Sequence, residues 1–112
     1  MSAAARFAPQ ARADIAQALN AYGESPAAMR RFQIALATAA RRIGAHPAIG
    51  RRQLALADER YRFWSLQGFP YLVVYRPSRT PPLIVRVVHT ARDLGPLLAG
   101  LAETADEDPL SE

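Results

Sequence analysis

The sequence predicts one α+β domain, in which a short N-terminal strand and an antiparallel helix hairpin pack on a mostly antiparallel sheet of three to four strands. A short helix follows at the C-terminal end. A change of pattern along the 112 residues predicts this class. Apolar residues recur at helical spacing as far as Ile43, and they alternate in the segments that follow Gly50. The length suffices for one hydrophobic core and leaves no room for a second.

The first part of the chain predicts an edge strand and two helices. Residues 3–7 form the strand, and Pro9 suits the first turn of a helix that Gly23 ends. Ser25 can cap a second helix, and Pro26 can occupy its first position. Because so few residues separate the two helices, they must run antiparallel. The positions expected to face the core are Ala11, Ile15, Leu19 and Tyr22 in the first helix and Met29, Phe32, Leu36, Ala39 and Ile43 in the second.

The remainder predicts an antiparallel meander and a short helix at residues 94–101. Candidate strands cover residues 52–57, 60–66, 69–76 and 83–89. Strict alternation places Leu83, Val85 and Val87 on one face of the last strand and Ile84 and Val88 on the other. The strands are therefore apolar on both faces, whereas one helix hairpin covers only one. We expect the second face, for which the C-terminal helix is the one alternative cover, to be partly bare and to need an obligate partner.

Charge and composition narrow the functional classes. All 14 basic residues are arginine, and the absence of cysteine excludes disulfides, thiolate metal sites and cysteine nucleophiles and fits the cytoplasm. The first residues lack the apolar core of a signal sequence and no apolar run is long enough for a membrane span, so we expect the protein in the cytoplasm. Residues 102–112 read as an acidic, disordered tail behind a domain at residues 1–101. Residues 1–102 contain 14 arginines and five acidic residues, and the resulting net charge of +9 attracts nucleic acid or an acidic protein.

Four stretches of the chain resemble the ParE/RelE toxins of bacterial toxin–antitoxin pairs. They are residues 7–11 (FAPQA) followed by Asp14-Ile15, His46-Pro47 with Gly50, residues 68–76 (GFPYLVVYR) and residues 87–93 (VVHTARD). The last stretch is similar to the V-x-H-x-x-R-D ending of the ParE branch, which we favour. The resemblance covers residues 3–99. Ala8 departs from it, because the family commonly has a capping serine or threonine there.

This resemblance implies a fold, a partner and a target. The fold is the small α+β toxin fold of the RelE/ParE type. The partner is a ParD-like antitoxin encoded beside the toxin, whose C-terminal segment wraps the hairpin and the sheet in a hetero-oligomer. The target is DNA gyrase if the ParE branch applies, or mRNA on the ribosome if the RelE branch applies. An inactive, toxin-like binding module is a third reading.

The two toxin mechanisms require different side chains. An RNA-cleaving toxin needs proton-transfer groups and cations that stabilise the reacting phosphate. Because arginine stays protonated, it is a poor proton shuttle. The two side chains expected to titrate near neutrality are therefore His46 and His89. The candidate catalytic residues are His89, Arg62 and Arg86, although a hydrogen-bonded, structural role at the end of the last strand also suits His89. This small set favours a gyrase inhibitor that works without catalysis, cofactor or metal.

A contact surface for the target or the antitoxin is the remaining prediction. Arg60, Arg62 and Trp64 alternate along one predicted strand, and Arg86 lies on another. These arginines suit RNA phosphates and the acidic residues of an antitoxin equally well, and plain solvated charge is the alternative for Arg62 and Arg86. A packed position on the strand is the alternative for Trp64. A local ion pair between Arg92 and a helix-capping Asp93 is the alternative to a contact role for Arg92. The predicted contact residues are Arg60, Arg62, Trp64, Tyr71, Tyr75, Arg86 and Arg92.

Overall fold

The computed structural model describes residues 3–99 and residue 101, and the predicted tail at residues 102–112 lies outside them. The described elements are β1 (Arg6–Phe7), α1 (Pro9–Ala21), α2 (Pro26–Ala45), β2 (Arg62–Ser65), β3 (Tyr71–Arg76), β4 (Leu83–His89) and α3 (Leu94–Leu98). The strands form one sheet in the order β1-β4-β3-β2. The β1–β4 pair is parallel and the other pairs are antiparallel. The predicted α+β class and the predicted meander are confirmed.

The helix hairpin forms where the sequence predicts it. The Ser25 hydroxyl accepts a hydrogen bond from the Ala28 amide at 3.2 Å and so caps α2. Ala8 precedes α1 without a side-chain cap. Four of the five predicted positions in α2 are buried, whereas Met29 is half-buried. In α1, Ala11 is buried and the other predicted positions are half-buried, but the helix also buries Asp14, which was not predicted.

The first strand is shorter than the predicted residues 3–7. The Ala5 amide donates to the Ala40 carbonyl of α2 at 2.9 Å, so this part of the chain is tied to the helix instead of to the sheet. Its backbone runs so close to α2 that a side chain at Gly44 would overlap the carbonyl of Ala3. The two remaining residues of β1 pair with Leu83 and Ile84 at the edge of the sheet.

The candidate strand at residues 52–57 is wrong. Only Arg51 pairs with Phe63, through two backbone hydrogen bonds in an isolated bridge. The amides of Leu56 and Ala57 both donate to the Gln53 carbonyl, so this segment forms a turn. The turn lets Leu56 and Ala57 pack against the sheet, which an extended edge strand would not allow.

The predicted faces of β4 are wrong because the strand contains a bulge. Val74 pairs with Arg86, but the next residue, Tyr75, pairs with Ile84, so Val85 is an extra residue in the ladder. A bulge shifts the alternation of every later side chain. Val87 consequently packs with Ile84 beneath the hairpin, whereas Val88 packs with Val85 on the opposite face.

The second face of the sheet is covered, contrary to the prediction of a partly bare face. Val74, Val85 and Val88 are 0%, 1% and 3% exposed. The cover comes from two sources, of which the sequence pointed only to the C-terminal helix. One is the turn that carries Leu56, and the other is α3 with its neighbouring residues, which contribute Leu94, Leu97, Leu98 and Leu101. Burial of this face is therefore no argument for an obligate partner.

Candidate contact surfaces

The predicted site residues do not form one cluster. Tyr71, Arg86, His89 and Arg92 line a cleft of about 520 Å³ between α1 and β4, here called the α1–β4 cleft. Arg62 and Tyr75 lie beside the loop that follows α2, and Trp64 packs against the edge of the hairpin core. Arg60 lies before β2 begins. The alternation of residues 60–64 predicted that Arg60, Arg62 and Trp64 share one basic strand face. The structure instead places these three residues in different surroundings.

A buried ion pair forms the floor of the α1–β4 cleft. The Asp14 carboxylate accepts hydrogen bonds from Arg86 Nε at 2.8 Å and Nη2 at 3.2 Å, and from the Val87 amide at 2.9 Å. Arg86 Nη1 also donates to the Leu97 carbonyl of α3 at 3.2 Å. The pair is nearly desolvated, since the side chains are 7% and 14% exposed. It joins α1, β4 and α3, and it neutralises the arginine that was predicted to bind a target.

Asp14 is the residue that sequence reasoning missed. It satisfies the Val87 amide on the edge of β4 that β1 is too short to cover. The available signal was an acid on the apolar side of α1, between Ala11 and Ala18 at helical spacing. A charge in such a position requires a cationic partner in the fold.

His89 ends β4 at the mouth of the α1–β4 cleft. Its Nδ1 accepts a hydrogen bond from the Ala91 amide at 3.0 Å, which is the structural contact expected at this junction. Because Nδ1 accepts, a neutral His89 carries its proton on Nε2 and still presents a donor. Its ring packs against Tyr71 with centroids 5.0 Å apart. Burial raises the pKa of the Tyr71 hydroxyl, which the nearby charge of Arg92 partly opposes.

The expected local ion pair between Arg92 and Asp93 is wrong. Asp93 occupies the N-cap position of α3, but its side chain makes no capping hydrogen bond. Among the described residues neither side chain takes part in an ion pair with the other. Arg92 is exposed at the cleft instead, where its charge remains accessible.

Tyr75 belongs to the core and offers no contact surface. Its side chain is fully buried, and its hydroxyl donates to the Pro47 carbonyl at 2.6 Å and accepts from the Gly50 amide at 2.8 Å. Burial raises the pKa of this hydroxyl, while the Gly50 bond and the charge of Arg62 oppose the rise. The prediction of a contact role for Tyr75 is therefore not compatible with its position.

Arg62 supports the same loop. Its Nη1 donates to the Gly50 carbonyl at 2.7 Å and to the Ala48 carbonyl at 3.3 Å. Arg62 and Tyr75, which are cross-strand neighbours, together fix the chain between α2 and β2. Like Arg86, Arg62 uses its guanidinium within the protein.

Arg60 and Trp64 differ in their surroundings. Arg60 forms an exposed ion pair with Asp58 at 2.7 Å, and its hydrogen bonds lower the pKa of that carboxyl. Its guanidinium also lies 5.6 Å from the centre of the Tyr61 ring. Trp64 is half-buried and lines a groove between α2 and the β2–β3 turn.

Neither a membrane span nor a metal cluster is found in the part of the chain that the structure describes. No helix there is both long and apolar enough to cross a bilayer. Within the same residues, no three histidine or acidic side chains are grouped as metal ligands would be.

Comparison with known proteins identifies a family and a fold. Residues 5–94 match the family model described as the ParE toxin of type II toxin-antitoxin system, parDE. The fold is similar to a solved structure described as "Chromosomal ParDE TA system from P. aeruginosa", with a TM-score of 0.63 and 14% sequence identity over 77% of this chain and 94% of that chain. At this identity the structural likeness shows the fold alone. Comparison with curated proteins gives no match.

Proposed function

The chain belongs to the ParE toxin family of type II toxin–antitoxin systems, and from this premise we propose that it arrests growth by binding and inhibiting DNA gyrase in the cytoplasm. A cognate, ParD-like antitoxin neutralises it in a hetero-oligomer. The resemblance of residues 87–93 to the ending of the ParE branch supports gyrase over the ribosome as the target.

The proposal rests mainly on the internal contacts of Arg62 and Arg86, which were candidate catalytic residues. Cleavage of RNA requires a base, an acid and cations that are available to the reacting phosphate. Arg86 is bound to Asp14, and Arg62 binds loop carbonyls through Nη1, so both guanidinium groups already serve contacts within the protein. His89 remains as the candidate for proton transfer, and arginine is a poor proton donor. These contacts favour a toxin that acts by binding.

The charge of the body supports an acidic antitoxin. Several arginines are exposed on the helices, and the net charge of +9 up to residue 102 favours fast association with an acidic surface. Neutralisation by such a partner requires no chemistry at the toxin. It requires only that the partner outcompete the target.

A supercoiling assay tests the proposal. Purified protein is added to gyrase, ATP and relaxed plasmid, and we expect loss of supercoiling as the protein concentration rises. Addition of the cognate antitoxin should restore supercoiling. Unchanged supercoiling at a large molar excess of the protein would remove gyrase as the target.

A ribosome-dependent ribonuclease is the second candidate, because Tyr71, His89 and Arg92 line one cleft. His89 presents an Nε2 donor there and Arg92 an exposed cation. Cleavage of mRNA in a translation extract, lost in a folded His89→Ala variant, would establish this function. Unimpaired growth of cells that express the chain without its antitoxin would instead favour an inactive binding module.

A further inference from the structure

The solvent side of the helix hairpin carries charge that is almost entirely positive. Four exposed arginines lie on α2, one pair near its start and one near its end, namely Arg30, Arg31, Arg41 and Arg42. The helix contains no acidic residue. In α1 the single acid is Asp14, which is buried in the ion pair with Arg86. Glu24, in the connection between the helices, is therefore the one exposed acid of the whole hairpin.

The four α2 arginines are available to bind an external anion. Among the described residues none of them forms an ion pair, and Arg41 alone makes a side-chain hydrogen bond, to the Thr38 hydroxyl at 3.3 Å. Arg62 and Arg86, by contrast, use their guanidinium groups within the fold. The exposed side of α2 therefore carries positive charge that no acidic side chain of the described residues neutralises.

The distance between the two arginine pairs suits a DNA duplex. Arg30 and Arg41 are eleven residues apart, which is close to three helical turns, so both lie on the same side of α2 and about 16 Å apart along its axis. The buried residues of α2 face the core, so this side faces solvent. The major groove of B-DNA is about 12 Å wide. A helix that lies across the groove therefore brings one arginine pair to the phosphates on each side.

We propose that the exposed side of α2 binds the phosphate backbone of duplex DNA, with one arginine pair on each side of the major groove. Contacts of this kind hold a protein on DNA without reading its sequence, because phosphates do not distinguish the bases. The proposal goes beyond the proposed function, in which the target is a protein. It gives the chain a contact with DNA in addition to the proposed contact with gyrase.

The composition of this side of α2 favours DNA over an acidic protein. Between the arginine pairs the exposed residues are Gln33, Ile34 and Ala37, so Ile34 is the single large apolar side chain that α2 exposes. The centre of a protein interface is typically built from several aromatic or large apolar side chains. Duplex DNA carries one charge about every 1.7 Å along its axis, whereas an extended polypeptide advances about 3.3 Å per residue. Four guanidinium groups can therefore bind phosphates simultaneously without an apolar centre.

The salt dependence of DNA binding measures the number of phosphate contacts. The full-length protein is titrated into a fluorescently labelled DNA duplex of about 20 base pairs, or two turns, and the fluorescence anisotropy is followed. The logarithm of the binding constant should fall linearly with the logarithm of the salt concentration, with a slope of about 0.9 per contact, or about 3.6 for four. Arg30→Ala/Arg41→Ala should reduce this slope by about 1.8. Arg30→Lys/Arg41→Lys should keep the wild-type slope, because lysine also binds phosphates.

Arg51→Ala/Arg52→Ala is the matched control, because it removes two exposed arginines outside the hairpin. This variant should keep the wild-type slope. Equal slopes of the two alanine variants, or a wild-type protein that shows no salt-dependent binding, would overturn the proposal. Polyglutamate of the same total charge should compete less well than unlabelled duplex. Equal competition would also overturn the proposal, because an acidic polypeptide would then fit α2 as well as DNA does.

The outcome separates from that of the proposed function, because the binding assay contains no gyrase. A protein that binds DNA through Arg30 and Arg41 but leaves supercoiling unchanged would retain this proposal and refute the target. Inhibition of gyrase by a protein that does not bind the duplex would refute this proposal and leave the target intact.

Discussion

Removal of the Asp14 carboxylate should destabilise the protein strongly. In Asp14→Ala, the Arg86 guanidinium loses two hydrogen bonds and its counter-charge, and the Val87 amide loses its acceptor. Arg86 keeps the Leu97 carbonyl but cannot leave the cleft without giving up that contact to α3. The variant therefore leaves one charge and one amide poorly satisfied at a nearly desolvated position.

The size of the effect follows from this burial. Loss of one partner from a buried ion pair costs about 3–5 kcal/mol. Because the Arg86 side chain is 14% exposed and retains one acceptor, we expect the lower end, about 3 kcal/mol. A protein of this size is typically stable by about 5–15 kcal/mol, so the variant should still fold. With a urea slope of about 1.5 kcal/mol per molar, its unfolding midpoint should fall by about 2 M.

Urea unfolding followed by circular dichroism measures this difference. Asp58→Ala is the matched control, because it removes an aspartate from an exposed pair with Arg60 that should be worth less than about 1 kcal/mol. In the Arg86→Met background, the Asp14→Ala substitution should cost clearly less than it does in the wild type. Equal losses of stability in Asp14→Ala and Asp58→Ala would refute the account of the cleft floor.

Three further predictions concern stability. Tyr75→Phe should cost about 2 kcal/mol at neutral pH, because it leaves the Gly50 amide without its acceptor. Since burial raises the pKa of Tyr75 above its usual 10.0 in the folded state, the hydroxyl stabilises the fold below pH 10 and this contribution is lost as the pH rises through the folded pKa. The wild type should therefore approach the variant in unfolding free energy at alkaline pH, and a constant difference would contradict the assignment. Gly44→Ala should lower the melting temperature, because its side chain would overlap the Ala3 carbonyl; an unchanged value would contradict that close approach. Ser25→Ala should cost about 1 kcal/mol in urea unfolding through loss of the α2 cap, and no change would show that the cap is unimportant.

The predictable parts of the fold are those that local pattern determines. The start of α2 follows from Ser25 and Pro26, and the meander follows from apolar runs separated by turns. The bulge at Val85 does not follow, because an apolar run with no break gives no sign of an extra residue. The segment at residues 53–57 forms a turn although the sequence predicts a strand there, and the reason is related. Its alternation is too short to distinguish an edge strand from a cover over the sheet.

The sequence indicated which residues to consider as candidates, but for most of them it did not indicate what the side chain does in the fold. His89 and Arg92 lie close together in the stretch at residues 87–93, and both line the α1–β4 cleft. The roles of Arg62 and Arg86 depend on partners that are 12 or more residues away along the chain, namely Gly50 and Asp14. No local pattern reports such contacts. Ile34 was outside the predicted core stripe of α2, and the structure leaves it exposed.

Trapping of gyrase on DNA tests the central claim most directly, namely that this toxin acts by binding and without proton transfer. Purified wild-type protein and the His89→Ala variant are each incubated with gyrase and plasmid, and linear plasmid is measured after denaturation of the enzyme. We predict that both proteins accumulate linear plasmid to the same extent. No linear plasmid with the wild type, together with cleavage of mRNA that depends on His89, would contradict the claim.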